Sequence, residues 1–172
     1  MYLECGPCLI RSWRKGDEEN LPFHANNRQI WINLRDQFPH PYSRADAERW
    51  LKHVVAVTPE TNFAIDVNGE AVGGIGLVLQ DDVERCSAEV GYWLSEQYWG
   101  RGIATAALQA VTAFAFKHFH LTRVFAIPFA HNEASIKVLE KAGYICEGRL
   151  RRSAIKDGVV LDQFMYAKTD DQ

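Results

Sequence analysis

The sequence predicts an α/β protein of the α+β kind, a mixed but mostly antiparallel sheet flanked by helices. Three observations lead there. Apolar residues recur at helical spacing around Ala47 and again from Ile103. Alternating apolar runs surround Asn68-Gly69 and Asp157-Gly158, dipeptides suited to two-residue hairpin turns. The chain has no repeat, low-complexity tract or linker, and 172 residues are about one domain's worth. A single domain over residues 1–172 is expected.

Taken in order, Cys8 to Trp13 reads as a strand, and Lys15 to Glu19 as a turn into a helix near 18–25. A short helix is expected over Arg28 to Leu34. Phe38-Pro39-His40-Pro41-Tyr42 cannot be helical, because each Pro pushes its predecessor out of the α region. Ser43 then caps a helix with Asp46 in its first turn, and Ala47, Trp50, Leu51 and Val54 form one apolar face. Thr58-Pro59 ends it.

The period then changes. Phe63, Ile65 and Val67 alternate, Asn68-Gly69 turns, and Val72 to Leu79 returns as the partner strand. Asp81 to Glu84 is a polar turn, and Ala88 to Leu94 is the next strand. The strongest helix follows, Arg101 to His118, with Ile103, Ala107, Val111, Phe114 and His118 on one side and Ala104, Leu108 and Ala115 widening the stripe. Arg123 to Pro128 is a strand, and Asn132 to Ala142 is a helix stopped by Gly143. Glu147 to Ser153 and Val159 to Lys168 form a closing hairpin.

Composition narrows the function. With 47% apolar and 24% charged residues, this is an ordinary globular chain. Its formal charge of −3 argues against a general nucleic-acid or anionic-membrane binder. The longest apolar stretch, Ala71 to Leu79, is too short to span a bilayer. No basic stretch precedes an apolar run at the start, where Glu4 stands instead, so a cytoplasmic protein is expected.

Cys5-Gly6-Pro7-Cys8 has the spacing of thiol oxidoreductases, but it leads into a strand rather than a helix, so an incidental pair at a strand edge is expected. No second C-x-x-C supports a zinc site. His24, His40, His53, His118, His120 and His131 lack metal-ligand spacing, and His131 alone is a candidate auxiliary base. Arg149, Arg151, Arg152 and Lys156 form a basic patch. It reads as a solvated face or as recognition of an acidic peptide or phosphate.

Gln97-Tyr98-Trp99-Gly100-Arg101-Gly102-Ile103-Ala104 joins a strand to the longest helix. Its glycines permit positive φ, so several amides can converge at the helix N-terminus, a setting that favours a pyrophosphate. The Walker pattern is absent, and a dinucleotide fingerprint would need Gly where Thr105 stands. ATP and NAD are therefore disfavoured. The plain alternative is a helix that merely starts with glycines.

On these residues the sequence resembles the GCN5-related N-acetyltransferases. Gln97-x-x-Gly100-x-Gly102 is similar to their Q/R-x-x-G-x-G/A motif, which holds the pyrophosphate of acetyl-coenzyme A. Trp13-Arg14, Pro41-Tyr42, Ala88 to Leu94, Asn132-x-x-Ser135 and Leu139 to Tyr144 look like the RimJ/RimL branch, whose members include enzymes acetylating ribosomal-protein N-termini. The resemblance implies a sheet splayed at a coenzyme cleft between Val90–Ser95 and Arg123–Pro128, with Gly91 as a bulge. It implies acetyl-coenzyme A as cosubstrate, with no metal, held by Trp93, Leu94, Gln97, Gly100, Arg101, Gly102, Ile103, Ala104, Asn132 and Ser135. A backbone N–H near Trp93 or Leu94 would polarise the acetyl carbonyl.

Within that frame Glu89 is the candidate general base, or else an ion-paired residue near the sheet edge. Ser135 is the candidate acid for the leaving thiolate; Tyr144 is the other possible acid, but after Gly143 it is expected to be a packing aromatic of the core. Asn132 and Ser135 could also be capping groups only. Presenting a lysine (pKa ~10.4) neutral costs roughly 3.5 kcal/mol more than an α-amine (~7.8), so a peptide N-terminus or a small low-pKa amine fits best. The expected partner is that amine acceptor, with no direct nucleic-acid or membrane partner. Exposed β-edges leave a homodimer open. A coenzyme A-binding sensor without useful catalysis is the rival reading.

Overall fold

The computed structural model describes residues 1–170. In chain order the strands are β1 (Tyr2–Glu4), β2 (Leu9–Ser12), β3 (Asn62–Val67), β4 (Glu70–Leu79), β5 (Ser87–Leu94), β6 (Arg123–Ala126), β7 (Ile145–Lys156) and β8 (Val159–Thr169). The helices are α1 (Asp17–Ala25), α2 (Arg28–Trp31), α3 (Arg44–Ala56), α4 (Ile103–Phe119) and α5 (Glu133–Lys141). The strands form one sheet, ordered β1-β2-β3-β4-β5-β6-β8-β7. Every pairing is antiparallel except β5 with β6.

Side-chain alternation gives the sheet two apolar faces. The α4 stripe of Ile103, Ala107, Leu108 and Val111 packs with Leu139 of α5 against Phe63, Ile65, Ile75 and Val90. On the other face Leu21 of α1 and Ala47, Leu51 and Val54 of α3 cover Trp13, Ala64 and Ala71. The α3 start is a capping box: Ser43 Oγ accepts from Asp46 N at 3.3 Å, and the Asp46 carboxylate accepts from Ser43 N at 2.8 Å. Arg11 ties β2, α1 and β3 together. Its buried guanidinium holds Asp17 at 2.8 Å through two nitrogens and Asp66 at 2.6 Å. Stripping one partner from such a group costs roughly 3–5 kcal/mol.

Several boundaries depart from the sequence expectation. β1 was not anticipated, because three residues acquire strand character only by pairing with β2. α2 stops at Trp31 and continues to Leu34 as turns. β7 extends past both expected ends, with register shifts at Cys146/Gly148 and Leu150/Ala154 that its sequence pattern obscures. Both anticipated tight turns form, with positive φ at Asn68 and Gly69 and at Asp157 and Gly158. Lys156 does not join a solvated basic face. Its side chain is 1% exposed, with Nζ 2.8 Å from Asp36 and 3.8 Å from the Trp31 ring centroid.

The feature that positions the site is a division of the sheet between β5 and β6. Their parallel ladder has three pairs, ending at Glu89↔Phe125. β5 stays bonded to β4 as far as Gly73↔Leu94. Beyond β6 the chain instead follows β8: Phe164 N donates to Pro128 O, Ala130 N donates to Asp162 O, and Phe129 bridges Gln163. Pro128 cannot donate to a ladder. Gly91 is not a bulge, since it opposes Gly76 in an unbroken register. The two strands part because each keeps its outer partner.

Candidate active site

Past Glu89, β5 has no ladder partner on its β6 side among the described residues, so backbone groups of Val90 to Leu94 on that side are open. The Trp93 indole is held over Gly74 of β4, where an added Cβ would come within 2.9 Å of Nε1, and it meets Phe38 edge-on. Leu94 turns the other way, into the α4 core. These two anchors hold the exposed strand edge at a set height.

The strand then enters the glycine turn. Ser95 is buried; its N donates to Val72 O at 2.9 Å, and its Oγ lies 3.0 Å from His24 Nδ1. His24 Nε2 lies 3.0 Å from Glu70, and Asn27 donates to Glu96 at 2.6 Å. Trp99 Nε1 donates to Leu94 O at 2.7 Å. His24 is thus a core residue that pins the turn, a role its isolated position in the sequence does not reveal.

Gly100 and Gly102 then adopt φ of +73° and +76°, a region where a side chain is strained. An added Cβ would meet no atom within 4 Å at either, so both border open space. Gly102 caps α4 without a side-chain bond, and the first turn carries no acidic residue. The amides of Ile103 and Ala104 therefore have no intrahelical acceptor, and the helix dipole adds positive potential there. Gln97 and Arg101 are exposed beside them, with the Arg101 guanidinium 5.2 Å from the Tyr98 ring centroid. The arrangement is built to hold an anion.

Alternation sends Glu89 and Tyr92 to opposite faces of β5. Glu89 faces the α1–α3 layer, where Arg35 Nη2 donates to its two oxygens at 2.5 and 2.7 Å. The ion-paired state weighed from sequence is therefore present, with a partner 54 residues away that no local pattern discloses. Tyr92 faces α5. Its hydroxyl lies 2.8 Å from Ser135 Oγ and donates to Ser135 O at 3.3 Å. Burial pushes the Tyr92 hydroxyl up to about 12, against a smaller opposing pull from Ser135.

Asn132 Oδ1 accepts from Ser135 N at 3.1 Å, so Asn132 caps α5 while the Ser135 hydroxyl stays turned toward Tyr92. Tyr144 is elsewhere. Its buried hydroxyl lies 2.7 Å from Thr112 under α4, and burial holds its proton well above the usual phenol range. It is a core residue. The sequence does signal Tyr92: strand parity places it on the face of β5 opposite Glu89.

His131 is exposed and stacks on Phe129 at 5.7 Å. Phe23 is exposed, whereas Tyr42 is buried and packs with Phe38, the ring centroids 5.1 Å apart. Cys5 and Cys8 are free thiols 2.7 Å apart at the β1–β2 hairpin, and Cys8 Sγ lies 3.9 Å from the carbonyl oxygen of Ile103 at the start of α4. Among the described residues no three His, Cys, Asp or Glu side chains gather as metal ligands. Among them, too, no helix is long and apolar enough to cross a membrane.

Known proteins share this organisation. The family model for the acetyltransferase (GNAT) domain matches residues 8–145. A Bacillus subtilis protein named as a probable N-acetyltransferase, YjcK, is 37% identical over 158 residues, covering 87% of this chain and 86% of YjcK. B. subtilis YdaF, whose name carries a provisional ribosomal N-acetyltransferase assignment, is 35% identical over 100 residues, which are 58% of this chain and 54% of YdaF. The chain thus spans about half the length of YdaF, as it does of YoaA, at 55%. In fold it is similar to RimL, an L7/L12 N-terminal acetyltransferase in complex with coenzyme A, with TM-score 0.87, 19% identity and 99% of each chain covered. It is also similar to Mycobacterium smegmatis RimJ bound to a coenzyme A disulfide, with TM-score 0.86, 24% identity, and 97% and 84% covered.

Proposed function

The chain belongs to the GNAT acetyltransferase family, and from that premise we propose that it is an acetyl-coenzyme A-dependent N-acetyltransferase of RimJ/RimL type that acetylates an α-amine. One observation carries the reading: β5 loses its β6 partner after Glu89 and leads directly into the uncapped glycine start of α4. An opening lined by free backbone donors and an anion-binding helix start lie end to end. An acyl carrier with a diphosphate needs both.

The residues present fit that carrier. Gly100 and Gly102 leave a cradle that any Cβ would narrow. The amides of Ile103 and Ala104, with exposed Gln97 and Arg101, supply donors for a diphosphate. The Leu94 N–H, on the side of β5 away from β4, would donate to the acetyl carbonyl oxygen as it gains charge. Asn132 would face the pantetheine arm. When bound, acetyl-coenzyme A supplies an activated thioester.

The protein's own groups would then handle two protons. On one face of β5, Glu89 would accept a proton from the acceptor nitrogen, directly or through water. On the other, the Ser135 hydroxyl, backed by Tyr92, would donate to the leaving sulfur. The division of the sheet connects the two faces, so acceptor and thioester approach from opposite sides for direct attack. The α-amine preference follows from its lower pKa, ~7.8 against ~10.4 for lysine. Relatives named for ribosomal-protein acetylation support a peptide N-terminus.

Thiol release from acetyl-coenzyme A, measured with peptide α-amines and with lysine side-chain amines, tests this together with calorimetric titration of the coenzyme. Release should be faster with α-amines. Tight binding without release from any amine would leave a coenzyme-binding module rather than an enzyme.

A further inference from the structure

One cation outside the reacting groups touches the proposed base. Arg35 lies in the segment between α2 and α3, and its Nη2 donates to both oxygens of Glu89 at 2.5 and 2.7 Å. The Arg35 side chain is 68% exposed and that of Glu89 19%, so the guanidinium stands on the solvent side of the carboxylate. The segment and α2 before it are tied down. Asp36 holds the buried Lys156 at 2.8 Å, and Arg28 reaches Asp157 at 2.6 Å. Leu34, Arg35, Asp36, Ile127, Phe129 and Lys156 help to line a cavity of about 310 Å³.

Two cations, Arg35 and Lys156, thus balance two carboxylates, Asp36 and Glu89. The acceptor nitrogen becomes positively charged as it bonds to the acetyl carbon and then needs Glu89, where Arg35 already sits. Exchange of one cation for the other leaves the guanidinium unpaired beside a new positive charge. An acceptor with an oxygen on the carbon next to its amine removes that penalty, since the planar fork of Arg35 can donate to a carbonyl or carboxylate. A polyamine brings a further cation instead.

We infer that Arg35 is a specificity-determining residue: it occupies Glu89 until an α-aminoacyl group arrives, then donates to the carbonyl or carboxylate oxygen of that group. This rests on the transfer reaction proposed above. Free amino acids and peptide N-termini share the chemistry, and the test separates them.

Thiol release is measured for wild type, Arg35→Gln and Arg35→Lys with alanine N-methylamide, free alanine and isopropylamine, and calorimetry with acetyl-coenzyme A verifies folding. In Arg35→Gln the kcat/KM ratio of an alanyl acceptor to isopropylamine should fall about ten-fold or more, the scale of a lost charged hydrogen bond. Arg35→Lys should lie between. A larger fall with free alanine identifies the carboxylate as the partner, and a larger fall with the amide identifies the peptide carbonyl. A ratio within two-fold of wild type for both alanyl acceptors, in an enzyme that still acetylates them, overturns the role of Arg35 alone. Absence of thiol release by wild type with all three overturns the transfer reaction and this inference with it.

Discussion

The Tyr92 hydroxyl lies 2.8 Å from Ser135 Oγ, joining the middle of β5 to the first turn of α5 across the face opposite Glu89. That contact distinguishes the two candidate proton donors. Ser135→Ala and Tyr92→Phe should each lower kcat, by about 10–100-fold if the pair supplies part of a general-acid contribution. Tyr144→Phe should instead leave kcat near wild type and cost about 1 kcal/mol of stability, the value of its buried bond to Thr112. Steady-state kinetics and thermal melts of the three variants separate the roles.

The same contact sets a pH expectation. Burial pushes Tyr92 up to about 12, so its proton is retained through the alkaline range. With an α-amine acceptor, the rate should rise as the amine loses its proton near ~7.8. It should then hold level to at least about pH 10, since Tyr92 is still protonated there. Tyr92→Phe should lower the profile without changing its shape. A decline above pH 8 that disappears in Tyr92→Phe would contradict this assignment.

Gly102 tests the anion cradle. With φ at +76° and open space around a Cβ, Gly102→Ala costs backbone strain rather than a clash. About 1–2 kcal/mol is expected, or a Tm lower by roughly 2–8 °C. The coenzyme Kd should rise about ten-fold, because the added methyl group narrows the approach to the α4 amides. Calorimetry on the variant reads this directly.

Much of this architecture is legible because local chemistry decided it. Asn68-Gly69 requires positive φ at both positions, Ser43 with Asp46 forms a self-contained cap, and the α4 stripe has one packing solution. The glycine turn is likewise a local signal. Other features depend on distant chain. Arg35 reaches Glu89 across 54 residues, and Lys156 is buried only because Asp36 and Trp31, some 120 residues earlier, meet it. The parting of β5 from β6 was expected at a bulge at Gly91. It comes instead from residues 127–130 staying bonded to β8, a partner choice that no residue in β5 encodes.

The α3 cap gives a stability prediction with a pH sign. Hydrogen bonds from the Ser43 side chain and backbone, with Arg49 nearby, hold the Asp46 carboxyl below its ordinary range. A lowered folded value means the stabilisation is present above the unfolded pKa and lost as pH falls through the folded one. Ser43→Ala should cost about 1 kcal/mol at pH 7. The Tm gap to wild type should narrow at pH 3, and a gap that stays constant would oppose this account of the cap.

The central claim is that Glu89, at the last rung joining β5 to β6, serves the acceptor and not the coenzyme. Glu89→Gln, studied by calorimetry with acetyl-coenzyme A and by thiol-release kinetics with a peptide α-amine, addresses it most directly. The expected result is a coenzyme Kd within about two-fold of wild type and a kcat lower by about 100-fold or more. A kcat equal to wild type would remove Glu89 from the chemistry, and a Kd that worsened as much as kcat would place it with the coenzyme instead.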